Sequence, residues 1–183
     1  MNHIQWQSPD GFHADLAQSQ LKDWLYDSGS FMQRLKIHGI EDAKIEVLSQ
    51  NWQFPTPDEK YELNLPDRTY VLAREVYIKN DEQVLMFART IFPRQTLTGA
   101  EKQFRQLKSQ SLGSKLFTEP SMMRTPFEFA FISAGSRWYE KAVQCLAQPI
   151  ASLWGRRSIF FIKEKPLLLT EIYLPDMAKL SCK

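Results

Sequence analysis

Residues 69–79 constrain the fold more than any other stretch of this chain. Tyr70, Leu72, Arg74, Val76 and Ile78 recur at the two-residue period of a strand, so all five share one face. Asn80-Asp81-Glu82 supplies turn residues, and residues 84–92 return as an antiparallel partner until Pro93 ends them. A second hairpin is expected near the C-terminus, with residues 158–163 paired to residues 167–174 across Glu164-Lys165-Pro166. Residues 44–52 alternate as a further strand, Phe54-Pro55-Thr56-Pro57-Asp58 then forces a turn or loop, and residues 127–132 suit a short strand.

Helical spacing occupies other segments. Leu21, Trp24 and Leu25 give an amphipathic helix over residues 18–27, broken by Ser28-Gly29. Ser30 reads as the N-cap of a second short helix, with Gln33 completing a capping box and Gly39 as the stop. Thr98-Gly99-Ala100-Glu101 is another capping box, opening a helix to about residue 110 with Ala100, Phe104 and Leu107 inward; Leu112-Gly113 breaks it. Residues 136–148 form a helical pattern with Tyr139, Val143 and Leu146 on one side. Residues 1–15 read as an extended arm. Hairpins without a repeated strand–helix–strand rhythm predict an α+β fold: an antiparallel sheet with helices on one side, in one domain spanning residues 1–183.

Composition excludes some functions. At 43% hydrophobic and 24% charged, the chain has the make-up of an ordinary globular protein. A net charge of +2 gives no reason to expect nucleic acid as a partner. No apolar run reaches the roughly 18 residues of a transmembrane helix, and Met1-Asn2-His3-Ile4-Gln5 lacks the pattern of a signal peptide. Cys145 and Cys182 make no disulfide framework, which favours the cytoplasm. His3, His13 and His38 form no close-spaced metal motif with them.

Two charged residues are out of place. Arg74 shares an apolar strand face, where an unpaired charge is costly. On periodicity alone, a structural ion pair or a strand-edge position comes first. The alternative is a carboxylate receptor, since the planar fork of arginine matches a carboxylate in two parallel hydrogen bonds. Glu171 lies in Pro166-Leu167-Leu168-Leu169-Thr170-Glu171-Ile172-Tyr173-Leu174, a run apolar enough to be buried on both faces. It is either bridged to Arg74 or Arg89, or a general acid/base or hydroxyl-binding group. Arg89 has the same ambiguity as Arg74. The Phe31 amide, at a helix start, is a free donor that suits an anion, although water or Ser30 is its ordinary partner. Arg156 and Arg157 are adjacent, so at most one faces a pocket; solvated surface arginines are the default there.

Five stretches, in order, resemble one known family: Leu72-Ala73-Arg74-Glu75-Val76, Ala88-Arg89-Thr90-Ile91-Phe92-Pro93, Leu112-Gly113-Ser114-Lys115-Leu116-Phe117, Leu153-Trp154-Gly155-Arg156-Arg157-Ser158 and Lys165-Pro166-Leu167-Leu168-Leu169-Thr170-Glu171. With Asp23-Trp24-Leu25, they look like chorismate lyase (chorismate–pyruvate lyase) over residues 18–175. The resemblance implies an antiparallel sheet flanked by helices. It also implies conversion of chorismate to 4-hydroxybenzoate and pyruvate for ubiquinone synthesis, without metal or organic cofactor. It assigns the ring carboxylate to Arg74 and the amides of Phe31 and Leu112, and the hydroxyl side and proton transfer to Glu171. The helical segments around those amides would act as flaps that slow product release. The family has methionine where this chain has Phe31, which leaves Met32 as the other position for that contact. Residues 133–150 look like a helical insertion. A cytoplasmic monomer is expected. The competing expectations are a non-catalytic domain that senses a small acid and a sibling lyase releasing another hydroxybenzoate isomer.

Overall fold

The computed structural model describes residues 4–12, 19–148 and 150–180. The first expected hairpin is the middle of its sheet. Strand β2 (Val71–Asn80) pairs antiparallel with β3 (Gln83–Pro93) around a turn in which Asp81 takes a φ of 49°. Strand β7 (Lys165–Tyr173) pairs with β3, and β6 (Ser152–Ile162) pairs with β7. Strand β1 (Lys44–Gln53) borders β2, while β4 (Met122–Arg124) and β5 (Glu128–Ser133) both pair with β6. The order is β1-β2-β3-β7-β6-β4, with β5 beside β6, and every pairing is antiparallel. This is the expected α+β antiparallel sheet.

The second hairpin turns earlier than expected. Lys163 and Glu164 carry φ of 48° and 66°, the two positive values of a two-residue type I′ turn. Pro166 therefore lies inside β7, opposite Phe161. Its missing N–H is tolerated because β3 joins β7 only from Leu168 onward.

Helices cover both faces of the sheet, not one. Residues 71–78 of β2 are buried without alternation. Val76 and Ile78 pack under α1 (Lys22–Tyr26) and α2 (Phe31–Ile37) through Trp24, Leu25, Phe31 and Leu35. Leu72 and Phe92 join Phe104, Leu107 and α4 (Leu112–Leu116) on that same face. On the other face, Tyr77 and Phe87 meet α5 (Arg137–Val143) through Trp138, Tyr139 and Ala142, while Val71 and Ala73 meet Leu63 and Leu65. Tyr70 stays outside the strand, exposed and packed at a tilt against the Phe54 ring.

Several local expectations change. The expected turn or loop from Phe54 leads into α3 (Pro57–Glu62), whose cap is complete: Glu59 N–H donates to Thr56 Oγ1 at 3.2 Å and Thr56 N–H to Glu59 Oε2 at 2.9 Å. The Ser30 capping box does not form, since Ser30 is buried without a side-chain cap bond and Gln33 is exposed. Residues Gly99–Gln106 are a 3-10 helix with Ala100 exposed, and Glu101 accepts from Lys165 Nζ at 2.7 Å instead of capping Thr98. Leu112-Gly113 starts α4 rather than ending a helix, with Ser111 Oγ accepting from Ser114 N–H. Of the expected helix over residues 18–27, Gln18 lies outside the described residues and α1 covers the rest only from Lys22. Of the N-terminal arm, residues 1–3 and 13–15 lie outside the described residues; Gln7 bridges to Phe129 and Pro9–Phe12 is a 3-10 turn. His3, His13 and Cys182 also lie outside the described residues. A sixth short helix, α6 (Asp176–Leu180), follows β7. Among the described residues no helix is long and apolar enough to cross a membrane.

Candidate active site

Register brings the site together. Arg74 stands opposite Thr90, which stands opposite Leu169. One row along, Val76 faces Ala88, Ala88 faces Glu171, and Glu171 faces Arg156. Arg74 and Glu171 are thus two strands and one row apart, about 12 Å at the backbone, with Ala88 between them. The small side chain of Ala88 leaves the space that the two polar ends border. The cavity they line is floored by Val76, Ala88, Thr90 and Leu169 and roofed by Phe31, Met32, Leu112 and Phe117.

Arg74 is 2% exposed, yet no carboxylate lies within ion-pair distance of it among the described residues. Its Nη2 donates to the carbonyls of Lys108 (2.9 Å) and Gln110 (3.2 Å), and its Nε is buried without a partner. Burial lowers its guanidinium from the ordinary arginine value to about 10, so it remains a cation at neutral pH. The two carbonyls precede α4, so the arginine also fixes the approach to Leu112.

The expected bridge from Glu171 to Arg74 or Arg89 is not made. Glu171 accepts from Arg156 Nε at 2.6 Å. Arg156 is 3% exposed, and its Nη1 donates to the carbonyls of Trp24 (3.1 Å), Leu25 (3.0 Å) and Asp27 (2.7 Å), which end α1. Burial pulls its pKa down, but the Glu171 carboxylate together with Tyr173 and Asp27 outweighs that and raises it. Arg89 belongs to the opposite face, where it pairs with Glu59 (2.6 Å) and Glu75 (2.7 Å) under the Trp138 ring. Arg157 is also on that face, paired with Asp58, Glu62 and Glu128 at 2.7, 3.0 and 2.7 Å. Neither arginine of the pair is solvated, contrary to the expectation for 156–157. A strand buried on both faces can hold two adjacent arginines only if each finds its own partners.

Phe31 and Leu112 begin α2 and α4, and both line the cavity, as does Met32. A first-turn amide has no acceptor inside its own helix. The two helix starts meet closely: a Cβ on Gly113 would lie 3.3 Å from Ser30 Oγ. Sequence reasoning missed a further cation. Arg124, on β4, lines the same cavity, donates from Nη1 to Ser28 O at 3.1 Å and lies over the Phe127 ring at 4.0 Å. Burial, then the neighbouring Arg156, lowers its pKa. Three arginines against one glutamate leave the lining formally positive by two. Among the described residues no three His, Cys, Asp or Glu side chains gather as a metal set.

The sheet and its helices define a class: the effector-binding fold. PhnF from Mycobacterium smegmatis matches with a TM-score of 0.60 at 14% identity, covering 83% of this chain and 66% of that one. The effector binding domain of the trehalose repressor from Bacillus subtilis matches with a TM-score of 0.55 at 11% identity, covering 73% and 91%. Within that class, sequence is decisive. The family profile described as chorismate lyase matches residues 1–180. A probable chorismate pyruvate-lyase from Nitrosomonas europaea is 36% identical over 157 residues, covering 86% of this chain and 88% of that protein. Its counterpart from Methylococcus capsulatus is 35% identical over 155 residues, covering 85% and 94%. The chain belongs to the chorismate lyase family, a family of lyases, as the five motifs led us to expect.

Proposed function

We propose that the protein converts chorismate to 4-hydroxybenzoate and pyruvate, the entry reaction to ubiquinone synthesis. The observation that carries this reading is a fully buried arginine, Arg74, without a carboxylate, facing a cavity whose other end holds Glu171. Arg74 and the amides of Phe31 and Leu112 receive the ring carboxylate. Glu171 lies on the hydroxyl side and takes part in proton transfer, with Arg156 fixing its orientation.

The reaction needs little from the protein beyond position. The ring carbon bearing the hydroxyl loses its hydrogen, the electron pair forms the third ring double bond, and the adjacent bond to the enolpyruvyl oxygen breaks. The released enolate takes up the proton and tautomerises to pyruvate. Aromatisation supplies the driving force, so binding in a reactive geometry and exclusion of water do most of the work. Apolar walls such as Val76, Leu169 and Phe31 serve the second purpose. The helices α2 and α4 form a cover that must move for product to leave, which makes slow release a consequence of the geometry. The same reading treats residues 1–183 as one domain, a cytoplasmic monomer, with residues 133–150 an insertion whose helix α5 packs on the face away from the site.

The test is direct. Purified protein and chorismate are mixed and the aromatic product is followed by absorbance and identified by chromatography. 4-Hydroxybenzoate above the spontaneous background is expected. Another isomer would make the protein a sibling lyase, and tight binding of the acid without turnover would leave a sensing role.

A further inference from the structure

We propose that Arg124 receives the second carboxylate of the substrate, the one on the enolpyruvyl group, and so distinguishes substrate from product. This rests on the lyase reading above and extends it to a residue that reading does not use.

The donors of the cavity are unequally committed. Arg156 is taken up by Glu171 and by three carbonyls of the α1 end. Arg74 is at the other end, four strand spacings from β4, or about 19 Å at the backbone. Among the described residues Arg124 makes one hydrogen bond, from Nη1 to Ser28 O. Among the described residues no carboxylate comes within ion-pair distance of it, and its Nε and Nη2 make no protein hydrogen bond. Its plane is held over Phe127 and, at 5.8 Å, near Phe160, both of which line the cavity. A guanidinium so placed presents its fork edge-on to an anion without having to order itself first.

Its surroundings also disfavour an empty state. Arg156 is close enough to oppose the Arg124 charge, and the two carboxylates that favour that charge, Glu171 and Asp27, are already paired with Arg156 and Arg34. An incoming carboxylate relieves that repulsion. Chorismate carries two carboxylates, matching the two surplus positive charges of the lining, with Arg74 and Arg124 as the two cations lacking an anionic partner. After the carbon–oxygen bond breaks, one carboxylate stays with the ring at Arg74 and the other leaves with pyruvate. Arg124 therefore contributes to binding of substrate and of pyruvate, and not to retention of 4-hydroxybenzoate.

The experiment compares wild type with Arg124→Met, which keeps the stacked stem and removes the charge. Steady-state kinetics give kcat and KM for chorismate, and fluorescence titration gives Kd for 4-hydroxybenzoate. Loss of a charged hydrogen-bond donor predicts a KM raised by about 10- to 100-fold. Kd for 4-hydroxybenzoate should stay within about threefold, and pyruvate should lose its competitive inhibition. Arg124→Lys should recover part of the KM. Should Arg124→Met fail to fold, wild type assayed with chorismate esterified at the enolpyruvyl carboxylate should show the same KM loss. An unchanged KM, or a Kd for product that weakens in step with KM, overturns the assignment of Arg124 while leaving the lyase reading intact. Absence of chorismate turnover by wild type overturns both.

Discussion

Replacing Arg74 with methionine should leave the unliganded protein about as stable as wild type while removing its affinity for carboxylates. Burial lowers this guanidinium from its ordinary value to about 10, a penalty of about 3 kcal/mol on the charged form as an upper figure. The opposing loss is two hydrogen bonds, to Lys108 O and Gln110 O, together about 3 kcal/mol at the lower bound for a charged donor. The two nearly cancel, so the net change should lie within about 1 kcal/mol. Arg156→Met should behave oppositely. It strands the Glu171 carboxylate, now 2.6 Å from its cation, and the loss should be about 3–5 kcal/mol. Urea unfolding with and without 4-hydroxybenzoate measures both effects. Wild type should gain about 2.7 kcal/mol at a ligand concentration a hundred times Kd, and Arg74→Met should gain nothing at that concentration. An Arg74→Met protein that loses as much stability as Arg156→Met, or that keeps its ligand-induced gain, would refute the claim that this arginine is held for a ligand.

Glu171→Gln preserves shape and an acceptor for Arg156, so turnover should fall by about 100-fold or more while product Kd moves less than tenfold; steady-state kinetics beside a product titration would expose the reverse pattern, which would exchange its role with Arg74. Ala88→Leu puts a branched side chain between Val76 and Glu171 and should abolish product binding, read by titration, with little loss of Tm because it fills cavity space. The hydrogen bond from Lys165, against a smaller cost of burial, holds Glu101 down to about 2. A depressed carboxyl stabilises the fold above its unfolded value near 4.5 and loses that contribution as pH falls from there toward 2. Lys165→Met should therefore lower Tm at pH 6 and leave it unchanged at pH 2, which thermal melts across that range would check.

The hairpins were legible because period-two alternation and turn residues are local signals. The partner of Glu171 was not, and the reason is one of register. A turn centred on Lys165 would set Glu171 opposite Ile159, whereas the two-residue turn at Lys163-Glu164 sets it opposite Arg156. Helices on both faces were hidden because Val71, Ala73 and Tyr77 fill the odd positions of β2 as apolar residues fill the even ones, and burial on both sides carries no period. The α3 cap was present as Thr56 and Glu59, but Thr56 stood between two prolines, Pro55 and Pro57, among turn formers that pointed to a loop. The Thr98 and Ser30 boxes failed for tertiary reasons: Lys165 takes Glu101, and Ser30 is buried against α4. Arg124 gave no signal, since a three-residue strand has too little sequence to show which face its arginine takes.

Burial alone does not reveal which charged residues are functional, because both faces of this sheet bury arginines. The counter-charges do. On the face under α5, Arg89 meets two carboxylates, Glu59 and Glu75, and Glu75 also accepts from Lys141. Those contacts raise the Arg89 pKa above its ordinary value in spite of burial. Arg157 beside it meets three. These two buried cations are electrostatically closed, and an incoming anion would find both guanidiniums occupied. On the face under α2 and α4, Arg156 takes the one lining carboxylate, so Arg74 and Arg124 are left without one and burial lowers both. A cation without a counter-charge is costly to bury, fully for Arg74 and partly for Arg124, and folding gains nothing from two of them at opposite ends of one cavity. Their presence is explained when the missing anions arrive with a ligand that carries two carboxylates. The face that looks worse in stability terms is the one that binds.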